Sequence, residues 1–338
     1  MTVTATTTNL RTGISRPPRP EDYNTKCGGA PAAAPGAPCP MWLTFLDRVT
    51  DNDKELAGFL QRWCGYCLTG VTTEQKLVFL YGTGANGKSV FVSTVTGILG
   101  DYAAVAPMEM LLASKNERHP TEIAKLFGVR LVTAHEVAGG RRWDEDKIKL
   151  LTGSDRLAAR FMRQDFFDFV PKFKLTIFGN HKPTLRSVDE AIRRRFLLVP
   201  FTVTIPENER DPNLAEKLKP EWGAILRWMI DGCLEWQRLG HLGIPPCVQN
   251  ASNAYFEEQD SLGEWVEEAL GRDDPYAWTR TADLFLAWKE WCAVRNLTAG
   301  STKWLSQGLA DRGLAKKRDS VGRQGFKGVT FRHAKPGA

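Results

Sequence analysis

Apolar and polar positions follow one another in blocks along the chain, and the spacing within each block predicts its secondary structure. Residues 41–70 carry apolar side chains at helical spacing and predict two helices that break near Asp51–Asp53, where an N-cap would sit. Beyond them, short apolar runs alternate with helical stretches, and the runs are 77–81, 129–134, 173–178 and 196–200. Strands separated by helices predict an α/β fold with a largely parallel sheet.

The two ends of the chain have other patterns. Residues 1–40 lack apolar periodicity and are rich in Thr, Pro, Ala and Gly, which predicts a flexible linker or tail. Residues 206–258 predict a charged and then helical connection. Residues 259–338 predict three helices and a basic hairpin, an order typical of a winged helix-turn-helix with 302–312 in the recognition position. A small α+β cap on the preceding domain is the alternative.

A glycine-rich loop, GTGANGKS, follows the apolar run 77–81 and precedes a helical pattern that ends at Gly100. It fits G-x-x-x-x-G-K-[ST] in the strand–loop–helix context that a phosphate-binding loop requires. Its glycines allow consecutive N–H groups to face one anion, and the helix start adds a positive dipole end. We therefore predict that ATP and Mg²⁺ bind here, with Lys88 on the β- and γ-phosphates and Ser89 on the metal. The predicted nucleotide-binding residues are Gly82, Thr83, Gly84, Ala85, Asn86, Gly87, Lys88 and Ser89. The alternative is a loop that only turns the chain.

Two later strands end in polar residues that an ATPase needs. The run 129–134 leads to Glu136, which is the candidate for holding Mg²⁺ through water and polarising the attacking water. His135 stands where many such motors carry a second acid, which leaves open whether Glu136 does both jobs. The run 173–178 leads to Asn180, whose amide can bond the γ-phosphate or the attacking water. We predict that both residues are catalytic.

Three arginines end the next predicted helix: Arg193, Arg194 and Arg195. They suit an arginine finger, a cation that one subunit supplies to the phosphates held by its neighbour. A finger acting in trans requires head-to-tail packing, and a closed ring is the usual result. The alternative is a helix C-terminus that cations stabilise.

Basic residues alternate with aromatics between 151 and 174, where 155–162 and 166–170 can pair as a hairpin. Such a hairpin suits the backbone and bases of a single strand of DNA. The candidate DNA-binding residues are Arg160, Arg163, Gln164 and Lys172. An ordinary hairpin within the domain is the alternative.

Composition narrows the classes of protein. The chain has 338 residues and a net charge of +6, and residues 300–338 hold nine Lys or Arg against two Asp, which favours nucleic acid as a partner over solvated lysines alone. No apolar stretch approaches the length of a membrane span, so we expect no membrane association and a cytoplasmic or nucleoid-associated protein. The seven cysteines form no disulfide framework. Cys64 and Cys67 lie on one apolar helical stripe, which predicts core positions rather than a metal or redox site.

Together these motifs resemble the helicase half of phage- and plasmid-type primase–helicases, which are related to the poxvirus primase–helicase and belong to helicase superfamily 3. The matching segments are GTGANGKS (82–89), the strand ending in Glu136, WDEDKIKLLTGSD (143–155), FGNHKP (178–183) and DEAIRRRF (189–196). The resemblance covers about nine tenths of the chain and is weaker beyond residue 260.

The resemblance implies an AAA+-like ATPase core at 73–205, preceded by a helical segment at 41–72, in a homo-hexameric ring that moves along single-stranded DNA. It assigns Glu136 as the Walker B acid, Asn180 as the sensor, one of the three arginines as the finger, and 163–165 as the hairpin tip facing DNA. Asp144, Lys149 and Asp155 match the motif between Walker B and sensor.

Primase members of this family carry a polymerase domain upstream, and residues 1–40 hold only two acidic residues, Glu21 and Asp22. We therefore expect no primase activity in this chain, and either a stand-alone helicase or one working beside a separate primase chain. The expected setting is replication of a phage or plasmid-like element in a bacterial host cell. The alternatives are a duplex translocase or packaging ATPase, and a nucleotide-switched DNA-binding accessory protein without helicase activity.

Overall fold

The structure is a computed structural model and describes residues 6–114, 121–135, 141–185, 188–295, 297 and 299–332. The chain divides into two compact units, residues 1–256 and 257–338. The helices of the described residues are α1 (Pro40–Val49), α2 (Lys54–Cys67), α3 (Lys88–Leu99), α4 (Thr121–Ala124), α5 (Glu145–Thr152), α6 (Glu190–Arg193), α7 (Leu214–Lys217), α8 (Trp222–Leu239), α9 (Pro246–Gln259), α10 (Ser261–Ala269), α11 (Thr281–Val294) and α12 (Thr302–Asp311).

Among the same residues, the strands are β1 (Thr7–Asn9), β2 (Ile14–Arg16), β3 (Leu77–Tyr81), β4 (Ala103–Val105), β5 (Leu131–His135), β6 (Leu157–Ala159), β7 (Phe167–Phe169), β8 (Lys174–Gly179), β9 (Phe196–Pro200), β10 (Leu270–Gly271), β11 (Trp278–Arg280), β12 (Ala315–Arg318), β13 (Gln324–Lys327) and β14 (Thr330–Phe331).

The centre of the first unit is a five-stranded parallel sheet in the order β4-β5-β8-β3-β9. This confirms the predicted α/β class with a parallel sheet. Successive side chains of a strand point to opposite faces, and in β3 Val78 and Leu80 join one apolar cluster with α1, α2, α3 and α8. Leu77 and Phe79 join a second cluster with α5 and α9. The sheet is therefore covered on both faces by apolar clusters.

The two predicted N-terminal helices are present as α1 and α2, with Asp53 as the N-cap of α2: its carboxylate accepts from the backbone N–H groups of Glu55 and Leu56. Cys64 and Cys67 are buried in α2, as their spacing predicts. Helix α2 packs tightly on α8, since a Cβ added to Gly65 would lie 2.1 Å from the backbone N of Cys233.

Residues 6–40 differ from the flexible linker that composition predicts. They contain the β1–β2 hairpin and bond to the helical layer: Arg227 Nη1 of α8 donates to the carbonyl of Gly13 at 2.7 Å, and the Gly29 N–H donates to the carbonyl of Ile98 at 2.8 Å. Gly29 passes so close to α3 that an added Cβ would lie 2.0 Å from the carbonyl oxygen of Gly97. Glycine, which weakens helices and strands, here permits close backbone packing.

The second unit contains α10, β11, α11, α12 and then β12 and β13, which pair with β11 as an antiparallel sheet in the order β11-β13-β12. The short strand β11 did not appear in the sequence pattern. An apolar cluster that includes Trp265, Trp288, Leu305 and Phe326 fills the space between the helices and one face of this sheet.

No helix among the described residues combines the length and the apolar composition needed to cross a membrane.

Candidate nucleotide-binding site

The glycine-rich loop runs from the carboxyl end of β3 to the first residue of α3. Gly84, Ala85 and Gly87 have φ angles of +107°, +49° and +79°, in the left-handed region that favours glycine. Gly82 lies against the backbone after β9, and an added Cβ would be 2.0 Å from the carbonyl oxygen of Phe201. The loop therefore requires glycine both for its turns and for its close approach to the neighbouring strand.

The ammonium of Lys88 is buried at the centre of this loop. Its Nζ donates to the carbonyl of Gly82 at 2.8 Å, to Oδ1 of Asn86 at 3.0 Å and to Oδ1 of Asn180 at 3.2 Å. These three oxygens are neutral, so they orient the cation without cancelling its charge. Burial lowers the pKa of Lys88 to about 8, because removal from water disfavours the charged form. An anion at this position would relieve that penalty.

The other loop side chains divide into two groups. Asn86 is buried, and its Nδ2 donates to the carbonyl of Phe201 at 2.8 Å, so that its amide joins the loop to the chain after β9 while its oxygen holds Lys88. Sequence reasoning gave Asn86 only as part of a binding motif and missed this structural contact. Thr83 and Ser89 are exposed, which leaves their hydroxyls accessible to a ligand.

The carboxyl ends of three neighbouring strands meet beside the loop. Strand β8 lies between β3 and β5, and it ends just before Asn180, which bonds to Lys88. At the end of β5, the His135 ring stacks on Phe178 of β8 with centroids 4.6 Å apart. Glu136 follows directly in sequence and lies outside the described residues. The structure thus brings Lys88 and Asn180 together and places the strand that leads to Glu136 next to them.

The described residues, which exclude Glu136, contain no cluster of three or more His, Cys, Asp or Glu side chains arranged for a metal ion. Of the motif residues between the two strands, Asp144 is the N-cap of α5, accepting the N–H of Lys147. Lys149 bonds to Asp189, with Nζ and Oδ2 2.6 Å apart. Asp155 is exposed. The first two therefore hold local structure around α5 and α6.

The three arginines lie at the opposite edge of the sheet from the loop. The N–H of Leu77, the first residue of β3, donates to the carbonyl of Arg195 at 2.7 Å. Gly82 follows the last residue of the same strand, and five residues of strand separate the two edges by about 16 Å. None of the three arginines is therefore placed to reach the loop of its own chain.

The arginines also differ from one another. Arg195 is buried, and its guanidinium donates to Oγ1 of Thr152 at 3.1 Å and to the carbonyl of Ala191 at 2.7 Å. Arg194 is exposed, and Arg193 lies over the ring of Phe256 at 5.2 Å. Both line a cavity of about 270 Å³ that also contacts Lys76. Lys76, which sequence reasoning missed, adds a third cation to this cleft.

The predicted hairpin is present: β6 pairs with β7 in antiparallel register, from Leu157 opposite Phe169 to Ala159 opposite Phe167. The turn contains Arg163 with a φ of +60°. Arg163 and Gln164 are exposed, and Arg160 lies 5.0 Å above the ring of Phe166. Lys172 is exposed beyond the end of β7, on the way to β8.

Apolar side chains are exposed around the same turn. Met162 and Phe166 are 73% and 60% exposed, and Phe161 stacks on Phe167 with centroids 5.3 Å apart. Exposed rings beside arginines are what a single strand of nucleic acid requires from its binding surface.

Comparison with known proteins places these observations in a family context. A family model described as a family of unknown function (DUF5906) matches residues 80–195, which run from the end of β3 to the arginines. The chain is 25% identical over 269 residues to "Putative helicase L207/L206" of Acanthamoeba polyphaga mimivirus. It is 26% identical over 283 residues to "Putative helicase 022R" of Frog virus 3 (isolate Goorha). The alignments cover 73% and 77% of this chain and 28% of each relative, so the chain spans less than a third of their length.

The fold is similar to that of the C-terminal region of NrS-1. An apo structure of this region (305–718) has a TM-score of 0.58 and 11% identity, over 96% of this chain and 82% of that chain. Another, the A form apo structure, has a TM-score of 0.56 and 12% identity, over 90% and 69% of the two chains. The likeness to these structures concerns the fold. The helicase names of the two viral relatives confirm the resemblance to helicases that the sequence motifs indicate.

Proposed function

We propose that this chain is the motor part of an ATP-dependent DNA helicase of superfamily 3 that acts in the replication of a viral or plasmid-like element. The observation that carries the proposal is the buried ammonium of Lys88, held by neutral oxygens in a loop that requires glycine at positions 82 and 87. A buried cation without a charged partner costs free energy, and the phosphates of ATP are the ligand that this loop geometry favours. The names of the two viral relatives support the helicase class.

The order of strands supports an AAA+-like core. Strand β3, which carries the loop, lies between β8, which leads to Asn180, and β9, which follows the arginines. In this arrangement the carboxyl ends of the strands face the chain's own nucleotide. The arginines, at the amino ends, face a neighbouring subunit.

In this proposal, the loop residues 82–89 bind the triphosphate, and Lys88 stabilises the charge that develops on the γ-phosphate. Ser89, and Glu136 through water, would hold Mg²⁺, which would supply further charge neutralisation. Glu136 orients and polarises the attacking water. Asn180, whose amide oxygen accepts from Lys88, senses the γ-phosphate through the N–H groups of the same amide.

The finger is Arg193 or Arg194 of an adjacent subunit. Both lie at the sheet edge away from their own loop, which suits action in trans. Arg195 serves the fold instead, because its guanidinium is used within the chain. Head-to-tail repetition of this contact closes into a ring, which we propose to be a homo-hexamer.

The β6–β7 hairpin is the proposed contact with single-stranded DNA, through Arg160, Arg163 and Gln164 near its tip and Lys172 beyond its second strand. In the second unit, the order α10, β11, α11, α12, β12, β13 with β13 between the other two strands supports a winged-helix domain. A cavity of about 330 Å³ between α12 and β12–β13 is lined by cations and hydroxyls and by no aromatic side chain, which suits duplex phosphates.

The test is the steady-state ATPase rate of the purified chain without DNA, with single-stranded DNA and with duplex, while the mass of the assembly is measured in the same buffer. Stimulation by single strands in a hexamer-sized species supports the helicase, and a strand-separation assay follows. Stimulation by duplex without unwinding would instead identify a duplex translocase.

A matched pair of serines on α3 tests the metal contact. Ser89 and Ser93 are both exposed and lie one helical turn apart. Ser89→Ala should reduce Mg²⁺-dependent hydrolysis by about 10²-fold, since it removes a metal ligand, whereas Ser93→Ala should leave the rate unchanged. Equal rates in both variants would remove Ser89 from the site.

One observation favours a second function, a nucleotide-switched DNA-binding accessory protein. His135 stands in place of a second acid, and its ring packs on Phe178 rather than extending toward the loop. Binding of ATP and DNA by a monomer without turnover, also in the presence of a separate primase chain, would support that function.

A further inference from the structure

The antiparallel sheet of the second unit has one face against the helices and one face open. Side chains paired across antiparallel strands point to the same face. Lys316 is paired with Phe326, which is fully buried, and Lys316 Nζ lies 3.4 Å from Oε1 of Gln307 on α12. This is the covered face. The residues of the other face, here called the outer sheet face, are Trp278, Arg280, Ala315, Lys317, Gly325 and Lys327.

An indole ring lies flat across the outer sheet face. Trp278 starts from β11, and its Nε1 donates to the carbonyl of Lys317 on β12 at 3.1 Å, so the ring crosses the middle strand β13. It crosses at Gly325, where an added Cβ would lie 2.4 Å from Cε2 and Cζ2 of the ring. The ring thus rests on backbone on one side, and Trp278 is only half-buried. The part of the ring that remains exposed is accessible to a stacking partner.

Cations and a second ring surround this indole. Arg280, Lys317 and Lys327 are exposed on the same face. Tyr276 is 87% exposed, and Lys327 Nζ lies 5.9 Å from its ring centroid. The nearest acid along the chain, Asp274, uses its carboxylate to accept the N–H of Tyr276. The outer sheet face and the neighbouring Tyr276 therefore combine two aromatic rings with three cations.

We propose that the outer sheet face binds single-stranded nucleic acid, with one base stacked on Trp278, a second on Tyr276, and the phosphates between them held by Lys317, Lys327 and Arg280. Stacking on a ring is open to any base, because every base has a π face. The site shares Lys317 and Gly325 with the cavity beside α12, and it differs from that cavity in its aromatic rings, since no aromatic side chain lines the cavity. It does not rest on the ATPase: a helicase that failed every test above would still carry this surface.

The experiment measures binding of a fluorescent oligo-dT and of a hairpin duplex to the full chain, without nucleotide, at several salt concentrations. The background variant is Lys88→Ala, so that hydrolysis has no part in the result. Trp278→Leu keeps an apolar cover on Gly325 and removes the indole. It should weaken oligo-dT binding fivefold or more and leave the salt dependence and the duplex affinity unchanged. Tyr276→Ala should weaken oligo-dT binding by a smaller factor. Because the Tyr276 side chain is exposed, this substitution should not affect folding.

Adjacent lysines of β12 give the matched control for charge. Lys317 points to the outer sheet face and Lys316 to the covered face. Lys317→Ala should lower the slope of log K against log salt by about 0.7 for oligo-dT, the value for one phosphate contact on a single strand. Lys316→Ala should leave that slope unchanged.

Trp291, a half-buried tryptophan of α11 that stacks on Trp288 and donates to Glu268, gives the control for the indole. Trp291→Leu should leave oligo-dT binding as it is. The proposal is overturned if Trp278→Leu and Tyr276→Ala both bind oligo-dT like the parent, or if Trp278→Leu weakens oligo-dT and duplex by the same factor. In either case the two rings do not stack on bases. The outer sheet face would then bind a protein partner or serve only to stabilise the fold.

Discussion

The two sheets of this protein carry their candidate binding residues in different positions. The five-stranded sheet is parallel and covered on both faces, so its candidate site residues lie at the two edges, with Lys88 and Asn180 at one and Arg193 and Arg194 at the other. The three-stranded sheet is antiparallel and covered by helices on one face only, and Trp278, Arg280, Lys317 and Lys327 lie on the other face.

This difference follows from connectivity. A parallel sheet needs crossovers that place helices on its faces, whereas an antiparallel sheet made by hairpins can leave one face to solvent. The buried parallel sheet suits a site that must exclude water from a phosphate. The open antiparallel face suits a polymer that binds across a surface.

The largest effect should come from the loop edge of the parallel sheet. Lys88→Ala removes the cation that we propose to face the transferred phosphate, and hydrolysis should fall by about 10³-fold or more. The measurement is phosphate release at saturating ATP. Lys289→Ala, an exposed lysine of α11, is the control and should keep the parent rate. Normal turnover in Lys88→Ala would place hydrolysis elsewhere in the chain.

The opposite edge should act only between subunits. Arg193→Ala or Arg194→Ala should reduce hydrolysis by about 10³-fold, the usual effect of losing a finger, without a change in melting temperature. Arg195→Ala should instead destabilise the fold by about 1–3 kcal/mol, because it removes buried hydrogen bonds.

Mixing two inactive variants tests whether the arginines act on the nucleotide of a neighbouring subunit or on that of their own chain. A mixture of Lys88→Ala chains with the inactive arginine variant should recover part of the parent rate, since some contacts then pair an intact loop with an intact arginine. A mixture with no more activity than its components would argue against a shared site.

The open face should be sensitive to volume at its middle strand. Gly325→Ala places a methyl group under the Trp278 ring and should destabilise the second unit by about 1–3 kcal/mol. Gly322→Ala has open space and only an unfavourable φ of +85°, so about 1 kcal/mol is expected. Thermal unfolding of the full chain measures both. A smaller loss in Gly325→Ala than in Gly322→Ala would mean that the ring does not rest on the strand.

The smallest effect concerns pH. The pKa of Lys88 is lowered to about 8 by burial, and bound phosphates should raise it, so the complex holds more protons than the free protein above pH 8. Affinity for a non-hydrolysable ATP analogue should therefore be constant below pH 8 and fall by up to tenfold per pH unit above it. Calorimetry from pH 7 to pH 9.5 measures this. Lys88→Met should bind weakly and lack this dependence.

Sequence predicted the parts of the fold in which local pattern and tertiary environment agree. The run 77–81 is apolar throughout because β3 is buried on both faces, and the loop after it has a fixed motif. The apolar run predicts a strand from Val129, whereas β5 begins at Leu131. The chain turns at Gly128, which has a φ of +74°, and the N–H of Arg130 donates to the carbonyl of Tyr102.

What the sequence did not predict depends on contacts between distant segments. Strand β11 has only three residues and owes its existence to pairing with β13, about 45 residues later. The burial of Arg195 depends on Thr152 of α5, and nothing in a run of three arginines distinguishes it from its neighbours. The docking of residues 6–40 depends on close approach of glycines, which composition alone assigns to flexible chain.

The burial of Arg195 has a mechanical consequence. It ties the turn before β9 to Thr152, the last residue of α5, while Lys149 of α5 is tied to Asp189 at the start of α6. These two side-chain contacts, one hydrogen bond and one ion pair, fix α5 against α6 and the turn that follows it. The β6–β7 hairpin begins five residues after Thr152. If Arg194 binds the nucleotide of a neighbouring subunit, a force on Arg194 would be transmitted through α5 to the first residues of the hairpin. We expect the stiffness of this joint, rather than the strength of any contact with DNA, to set how much of each hydrolysis step becomes motion along the strand.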